Sequence, residues 1–268
     1  IVEREAAKAL DPTALIAALN GLSPEFIMLI ELMLCLSTIL VLLRLFGAVG
    51  VQVYVVLAVI GANLQVLKVV QFGIYTDPVA LGTVLFASTY LCTDILAEHY
   101  GRGEAQRAVW LGFASLLFFN LVMVLTLGYA PLTPEQAGTE YGWALEMQGH
   151  LAAIATPAPA LFAAGMISYL LSEHHDVWMF MWLRRLTKGR HLWLRNNAST
   201  MASALIDNTV FSVLAWVVFA PQPIGWEPLV FTYILGTLWL RFGMALLHTP
   251  FCYLAEYFLP GRRILTAA

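Results

Sequence analysis

The chain carries seven apolar runs, near residues 25–46, 51–71, 77–98, 106–130, 149–172, 199–221 and 228–258, each about as long as one membrane crossing. A helix takes ~20 such residues to span the hydrocarbon core of a bilayer. Lipid offers no partner to an open backbone, so the runs predict helices and the fold class is an all-α integral membrane protein. Composition agrees: 268 residues are 60% hydrophobic and only 12% charged, against about 25% charged in a soluble domain. The runs consume the length, which excludes a nucleotide-hydrolysing or other globular catalytic module. A net charge of −3 with no strongly basic run argues against nucleic acid as a partner, because phosphate binding needs clustered Lys and Arg. Cys35, Cys92 and Cys252 lie inside apolar stretches without paired spacing and read as small hydrophobes.

Residues 1–23 mix charge with Ala and Leu, lack the features of a signal peptide, and read as a short surface segment. Ser23-Pro24-Glu25 starts the first span and the Gly47 region closes it. The last run holds Pro250, which predicts a kink or a helix followed by an interfacial piece. Ten cations (Arg44, Arg102, Arg107, Arg184, Arg185, Lys188, Arg190, Arg195, Arg262 and Arg263) fall at connections that alternate to one side. The opposite connections, 131–148 and 222–227, hold Glu135, Glu140, Glu146 and Glu227 and no Lys or Arg, while Arg4 and Lys8 precede the first span. The positive-inside rule then gives seven crossings, N-terminus out and C-terminus in.

Ionisable groups inside spans cost at least ~2.5–3.5 kcal/mol on insertion scales and mark function by default. Here they are Glu31, Lys68, Asp94, Glu98, Asp207 and Arg241. Glu31 and Glu98 read as structural. Ser199, Ser203, Asp207 and Phe211 recur every four residues, as do Phe86, Tyr90, Asp94 and Glu98 with Thr89 and Thr93 alongside. Each set occupies one helix face. Gln65 and Lys68 share a face, whereas Asn63 is turned away from them, and His248 lies about two turns from Arg241. Asp207 with Arg241 and Asp94 with Lys68 could simply tie helices together. Four charges and several amides over four helices exceed that need and suit a water-accessible solute path, with a proton relay through Asp94 or Asp207 as the alternative.

Glu173-His174-His175-Asp176 resembles a metal cluster by residue type, but the run ending at 172 places it at a cytoplasmic span end as a solvated edge. No metal site and no cofactor are expected. Trp143, Trp178, Trp182, Trp193 and Trp226 fit an interfacial aromatic belt. No Ser-His-Asp order, phosphate-binding Gly-rich loop or zinc-protease motif is present, and the chain does not read as an enzyme.

Several segments resemble the queuosine precursor transporter family, also called the vitamin uptake transporter family. Thr93-Asp94-Ile95-Leu96-Ala97-Glu98-His99-Tyr100-Gly101 is similar to its Asp, Glu and Tyr-Gly pattern before a basic run. Ser172 to Asp176 is similar to its Ser-x-x-x-Asp. Leu192-Trp193-Leu194-Arg195-Asn196-Asn197-Ala198-Ser199-Thr200, followed by Asp207 and Phe211, resembles its Trp-x-Arg-Asn-Asn-x-Ser-Thr helix entry. Arg241 to Pro250 resembles its final span. Two departures are Ser203-Ala204, where Gly-Gln is frequent, and Arg241, where Lys is common. The resemblance covers residues 50–260 and implies a six-helix transport domain over 49–268, preceded by an additional transmembrane helix over 24–48.

It further implies import of 7-deazaguanine bases, namely 7-cyano-7-deazaguanine, 7-aminomethyl-7-deazaguanine or queuine, across the cytoplasmic inner membrane. A carboxylate accepts the paired N–H donors of a guanine-like edge, and Arg, Lys or Asn suits its carbonyl. Asp207 and Asp94 would divide the carboxylate tasks, with Tyr90 and Phe211 near the ring faces. Asn197, Arg241 and Asn63 would read the remaining edge, with Ser199, Ser203 and Lys68 completing the set. The alternative is a substrate-binding membrane subunit of a larger ATP-driven uptake complex. Partners are then a small-molecule base and membrane lipid, with a homodimer left open.

Overall fold

The computed structural model describes residues 12–74, 78–155, 159–220 and 222–261. Arg4, Lys8, Arg262 and Arg263, used above for orientation, lie outside the described residues, as do residues 1–11 of the N-terminal surface segment. Helix α1 (Pro12–Asn20) has no buried residue. Helix α2 (Pro24–Gln65) starts where the sequence signals it: Ser23 Oγ accepts from the Phe26 N–H at 3.3 Å and Pro24 occupies the first turn.

Gly47 breaks α2 in two. Its φ of 61° with ψ of −139° lies in a region essentially restricted to glycine. The chain folds back there, so that Gln65 Nε2 donates to Glu31 Oε1 at 2.6 Å across 34 residues. Glu31 is therefore partnered, not alone in its span. A Cβ on Gly50 would lie 2.3 Å from the Leu42 carbonyl oxygen, which shows how closely the two halves approach.

Beyond Gln65 the expected helix gives way to a hairpin. Strand β1 (Val69–Val70) pairs antiparallel with β2 (Val79–Ala80), Val69 opposite Ala80 and Val70 opposite Val79. The apolar runs 51–71 and 77–98 were too long by this stretch. Its β-branched valines, with Gly73, Pro78 and Gly82 between and after them, favour extended and turn backbone over helix.

Helix α3 (Thr83–His99) is buried at nearly every position from Ala87 to Ala97, so it has no lipid face and forms the centre of the bundle. Helix α4 (Arg102–Gly128) runs alongside, and the Cβ that Gly112 lacks would meet the Tyr169 hydroxyl at 2.4 Å. Two short elements follow, α5 (Pro134–Ala137), closed by a Thr133/Gln136 capping box, and the exposed α6 (Gly142–Ala155).

Helix α7 (Pro159–Leu186) corrects the run placed at 149–172: it continues through Glu173-His174-His175-Asp176 to Leu186. Helix α8 (Leu192–Val213) passes into a π-helical turn (Leu214–Val218). The short α9 (Trp226–Pro228) and a second π-helical stretch (Leu229–Leu235) lead into α10 (Gly236–Leu254), which runs through Pro250 and ends in a 3₁₀ turn (Ala255–Phe258). The kink-or-interfacial-piece expectation thus resolves into a continuous helix with irregular ends. α7 packs along α8, α2 against α3 and α4, and α10 against α8 and α3.

Among the described residues, four segments are long and apolar enough to cross a membrane: Pro24–Gln65, Arg102–Gly128, Leu192–Val218 and Trp226–Phe258. Their outward faces carry large apolar side chains such as Leu34, Phe118, Leu125 and Trp239. Such a surface is solvated by lipid. The protein is a multi-pass, all-α membrane protein. Cys35, Cys92 and Cys252 are buried and unbridged.

Gly47→Ala is expected to destabilise the detergent-solubilised protein by about 1–3 kcal/mol, because alanine resists that backbone region and its methyl would sit 3.2 Å from Pro260 and from the Tyr100 hydroxyl. Gly103→Ala, in open space on α4, should be neutral or slightly stabilising. Thermal unfolding followed by circular dichroism compares the two.

Candidate functional site

The faces of α3, α7, α8 and α10 that meet in the bundle carry polar side chains in register. On α8 the spacing of four puts Ser199, Ser203 and Asp207 on one side, with Ser199 and Ser203 fully buried. On α3 it does the same for Tyr90 and Asp94, with Thr89 and Thr93 beside them. On α7 the buried polar residues are Ser168, Ser172, Glu173 and Asp176, again at spacings of three and four. The groups fall into two linked clusters.

In the first, Arg241 Nη1 of α10 lies 2.5 Å from Asp207 Oδ2 of α8. Ser172 donates to Asp207 Oδ1 at 3.4 Å, and the Tyr90 phenol, only 3% exposed, sits beside Ser172 and within electrostatic reach of both ions. Arg241 and Asp207 keep 16% and 14% of their side-chain surface exposed, so the pair is accessible at one edge. Phe211, one turn along α8 from Asp207, approaches α7 at Gly165.

In the second cluster, Asn196 Nδ2 donates to Asp94 Oδ2 at 2.6 Å, and Asn196 Oδ1 accepts from the Thr249 hydroxyl at 3.1 Å. Asn197 Nδ2 donates to the same Thr249 oxygen at 2.7 Å and to the Trp193 carbonyl. Thr89 donates to Glu173 Oε1, and Thr93 Oγ1 lies 3.3 Å from Glu173 Oε2 and 3.4 Å from Asp176 Oδ2. His175 Nδ1 is 2.9 Å from Ser203 Oγ. Below these groups Glu98 holds Arg195 at 2.7 Å and Arg184 at 3.4 Å, and the Arg195 guanidinium stands 5.3 Å over the Phe180 ring. Glu98 thus has two cationic partners, from α7 and α8.

Seven of the ten residues singled out from the sequence therefore share one polar core: Asp94, Asp207, Arg241, Tyr90, Asn197, Ser199 and Ser203. Phe211 flanks it. Asn63 and Lys68 do not join it: Asn63 Nδ2 bonds the Val59 carbonyl within its own helix, and Lys68 is exposed after α2. Lys68 instead lines, with Glu31, Phe72, Leu81, Leu240 and Met244, a cavity of about 290 Å³ between α2, the hairpin and α10. Of the two suggested ion pairs, Asp207 with Arg241 is present. Asp94 with Lys68 is not, because Asn196 takes the carboxylate.

Glu173, His175 and Asp176 were misplaced by the sequence reading, which set them in a solvated edge; Glu173 and Asp176 are 1% and 0% exposed. Among the described residues no group of three or more His, Cys, Asp or Glu is arranged to hold a metal ion. Asn196 and Thr249 were missed as partners. The stripe Ser168, Ser172, Glu173, Asp176 is legible once α7 is allowed to run past 172.

A deeply buried cluster of carboxyls and hydroxyls joined to a more accessible carboxylate–guanidinium pair is suited to binding a polar solute within a membrane, since intramembrane ionisable groups mark solute paths. Comparison with known proteins agrees. The profile of the family described as "Putative vitamin uptake transporter" matches residues 80–255. The "Probable queuosine precursor transporter" of Bacillus subtilis (strain 168) is 32% identical over 219 residues, covering 81% of this chain and 87% of that protein. No solved structure matches. The match begins at the hairpin and takes in α3, α7, α8 and α10, the helices that build the polar core, and the chain belongs to the vitamin uptake transporter family.

Proposed function

We propose that this protein imports 7-deazaguanine precursors of queuosine, such as 7-cyano-7-deazaguanine, 7-aminomethyl-7-deazaguanine or queuine, across the cytoplasmic inner membrane. The observation that carries the reading is the Asp207–Arg241 pair, 2.5 Å apart at the accessible edge of the polar core, together with the likeness to a relative whose name states that solute class. A guanine-like edge presents two adjacent N–H donors and a carbonyl acceptor, which a carboxylate and a guanidinium beside it satisfy together. Opening the pair around the base exchanges one set of charge-assisted bonds for another. Tyr90 and Phe211 supply ring faces, and a stacked base is worth ~1–3 kcal/mol at nucleic-acid sites. Asp94 provides the second carboxyl, and Asn197, Ser199 and Ser203 line its side of the core. Lys68 belongs to an entry vestibule at the 290 Å³ cavity.

In the architecture that goes with this reading, residues 49–268 form the six-helix transport domain: the second half of α2, then α3, α4, α7, α8, and α10 with its leading turns. Residues 24–48 add one further crossing, residues 1–23 stay at the surface, the N-terminus is outside and the C-terminus inside. The three native cysteines are buried, so single introduced cysteines can be read against a silent background. Glu140→Cys should react with a membrane-impermeant thiol reagent in intact cells, and Arg190→Cys only after permeabilisation. The reverse pattern overturns the orientation.

A ligand that binds only the folded protein raises its melting temperature, by about 2.7 kcal/mol of stability at a hundred times Kd. The purified protein is expected to be stabilised by cyano- or aminomethyl-deazaguanine or queuine, and not by guanine, riboflavin or biotin. Asp207→Asn should weaken that binding at least about tenfold, or ~1.4 kcal/mol, while the ligand-free protein still unfolds cooperatively. Undiminished stabilisation of a folded Asp207→Asn protein would remove Asp207 from the site.

A further inference from the structure

The polar core contains more carboxyls than cations. Asp94, Glu98, Glu173, Asp176 and Asp207 face the interior of the bundle, and among the described residues Arg184, Arg195 and Arg241 answer them. Arg184 and Arg195 both bind Glu98, and Arg241 binds Asp207. Arg195 is within electrostatic reach of Asp94, yet its Nη1 and Nη2 bond the Arg190 carbonyl and Glu98, and its buried Nε has no partner. Asp94, Glu173 and Asp176 are left without a cationic partner, at exposures of 0%, 1% and 0%. A buried carboxylate in that condition takes up a proton in preference to remaining ionised.

The contacts within the cluster require a proton on their own account. Asp94 is within electrostatic reach of Asp176 and Glu173, and one Thr93 hydroxyl stands between Glu173 Oε2 and Asp176 Oδ2. Ionised carboxylates only accept, so the one Thr93 hydrogen cannot serve both unless one of the carboxyls is itself an acid. Asp94 Oδ1 and Asp176 Oδ1 are buried and receive no donor. The one hydroxyl hydrogen of Thr93 is contested by Glu173, Asp176 and the Tyr90 carbonyl.

The other titratable groups near the cluster bring no cation to it. They are Tyr90 and Cys92 on α3, Tyr169 on α7, and Cys252 on α10, with the buried His248 one turn before it. α4 meets Tyr169 through the Val109 carbonyl. A connected route leads outward. His175, half-buried against Trp178, contacts Ser203 at 2.9 Å, and Ser203 lies within electrostatic reach of Asp176 on the facing helix. Towards the solute pair, Glu173 is within electrostatic reach of Asp207.

We propose that Asp94, Glu173 and Asp176 form a proton-carrying site, loaded through His175 and Ser203, and that a proton crosses the membrane together with the solute. The solute half of this statement rests on the transport reading above. In the loading step, the imidazolium Nδ1–H passes to Ser203 Oγ while Ser203 gives its own hydrogen to an Asp176 oxygen. A neutral imidazole, an unchanged serine and a neutral acid result. Among the described residues no cation pairs with the cluster, so the neutral form is the one that passes through the core.

Infrared spectroscopy of the wild-type protein tests the site without any solute. A protonated-carboxyl carbonyl band, shifted in D2O and diminished in Asp176→Asn, is expected at neutral pH; its absence from the wild type overturns the proposal. Transport is then read in proteoliposomes with radiolabelled aminomethyl-deazaguanine. A one-unit acid-outside pH difference should sustain up to ~tenfold accumulation at one proton per solute, abolished by a protonophore. Asp176→Asn should equilibrate the solute without accumulating it, and His175→Gln should slow the response to the gradient. Wild-type protein that equilibrates the base but ignores the gradient refutes the coupling. If no deazaguanine stabilises the protein, the substrate assignment alone fails, and the infrared band still decides the proton site.

Discussion

Burial of charge among closely packed helices governs this structure. Each ionisable side chain inside the bundle has to find its partner on another helix, and the partners found decide which helices sit together. Asp207 on α8 brings in Arg241 of α10 and Ser172 of α7, and Asp94 on α3 brings in Asn196 of α8. Glu98 gathers Arg195 and Arg184 at the end of the same bundle. Apolar packing alone would specify little here, because lipid is as apolar as the side chains it competes with. Polar contacts give these helices their register, and close approaches such as Gly112 against Tyr169 give them their spacing.

The fold class, the Gly47 turn and the polar faces of α3 and α8 were legible in the sequence, since all three follow from hydropathy and a spacing of four. The pairing of Asp207 with Arg241 was legible as well, from their depth. Two features were not. The hairpin at 69–80 is as apolar as the helices around it, so hydropathy merged it with them. The position of Glu173 and Asp176 was misjudged because a run of four polar residues looks like the end of a span. It is the middle of a helix, and only the Thr89 and Thr93 hydroxyls on the facing helix reveal that. Sequence periodicity describes one helix at a time, whereas satisfaction of a buried carboxyl is a property of two.

The two clusters differ in a way that matters for a carrier. The Asp207–Arg241 pair is balanced in charge and open at one edge, so a solute of complementary edges can replace one partner with little change in electrostatic energy. The Asp94, Glu173 and Asp176 group is sealed and answered by hydroxyls and amides, which donate or accept as the protonation state demands. Ser172 and Glu173, neighbours on α7, bring the two chemistries within one residue of each other.

Helix α3 has 17 residues, about 26 Å of rise, less than the ~30 Å of hydrocarbon in a typical bilayer. For a lipid-facing helix that shortfall would thin the membrane or force a tilt. α3 has no such face, since its neighbours enclose it from Ala87 to Ala97. Sliding along its own axis therefore moves no apolar belt out of the lipid and incurs no mismatch energy. Its length is set by the protein around it, which leaves the central helix free of the bilayer that confines its neighbours.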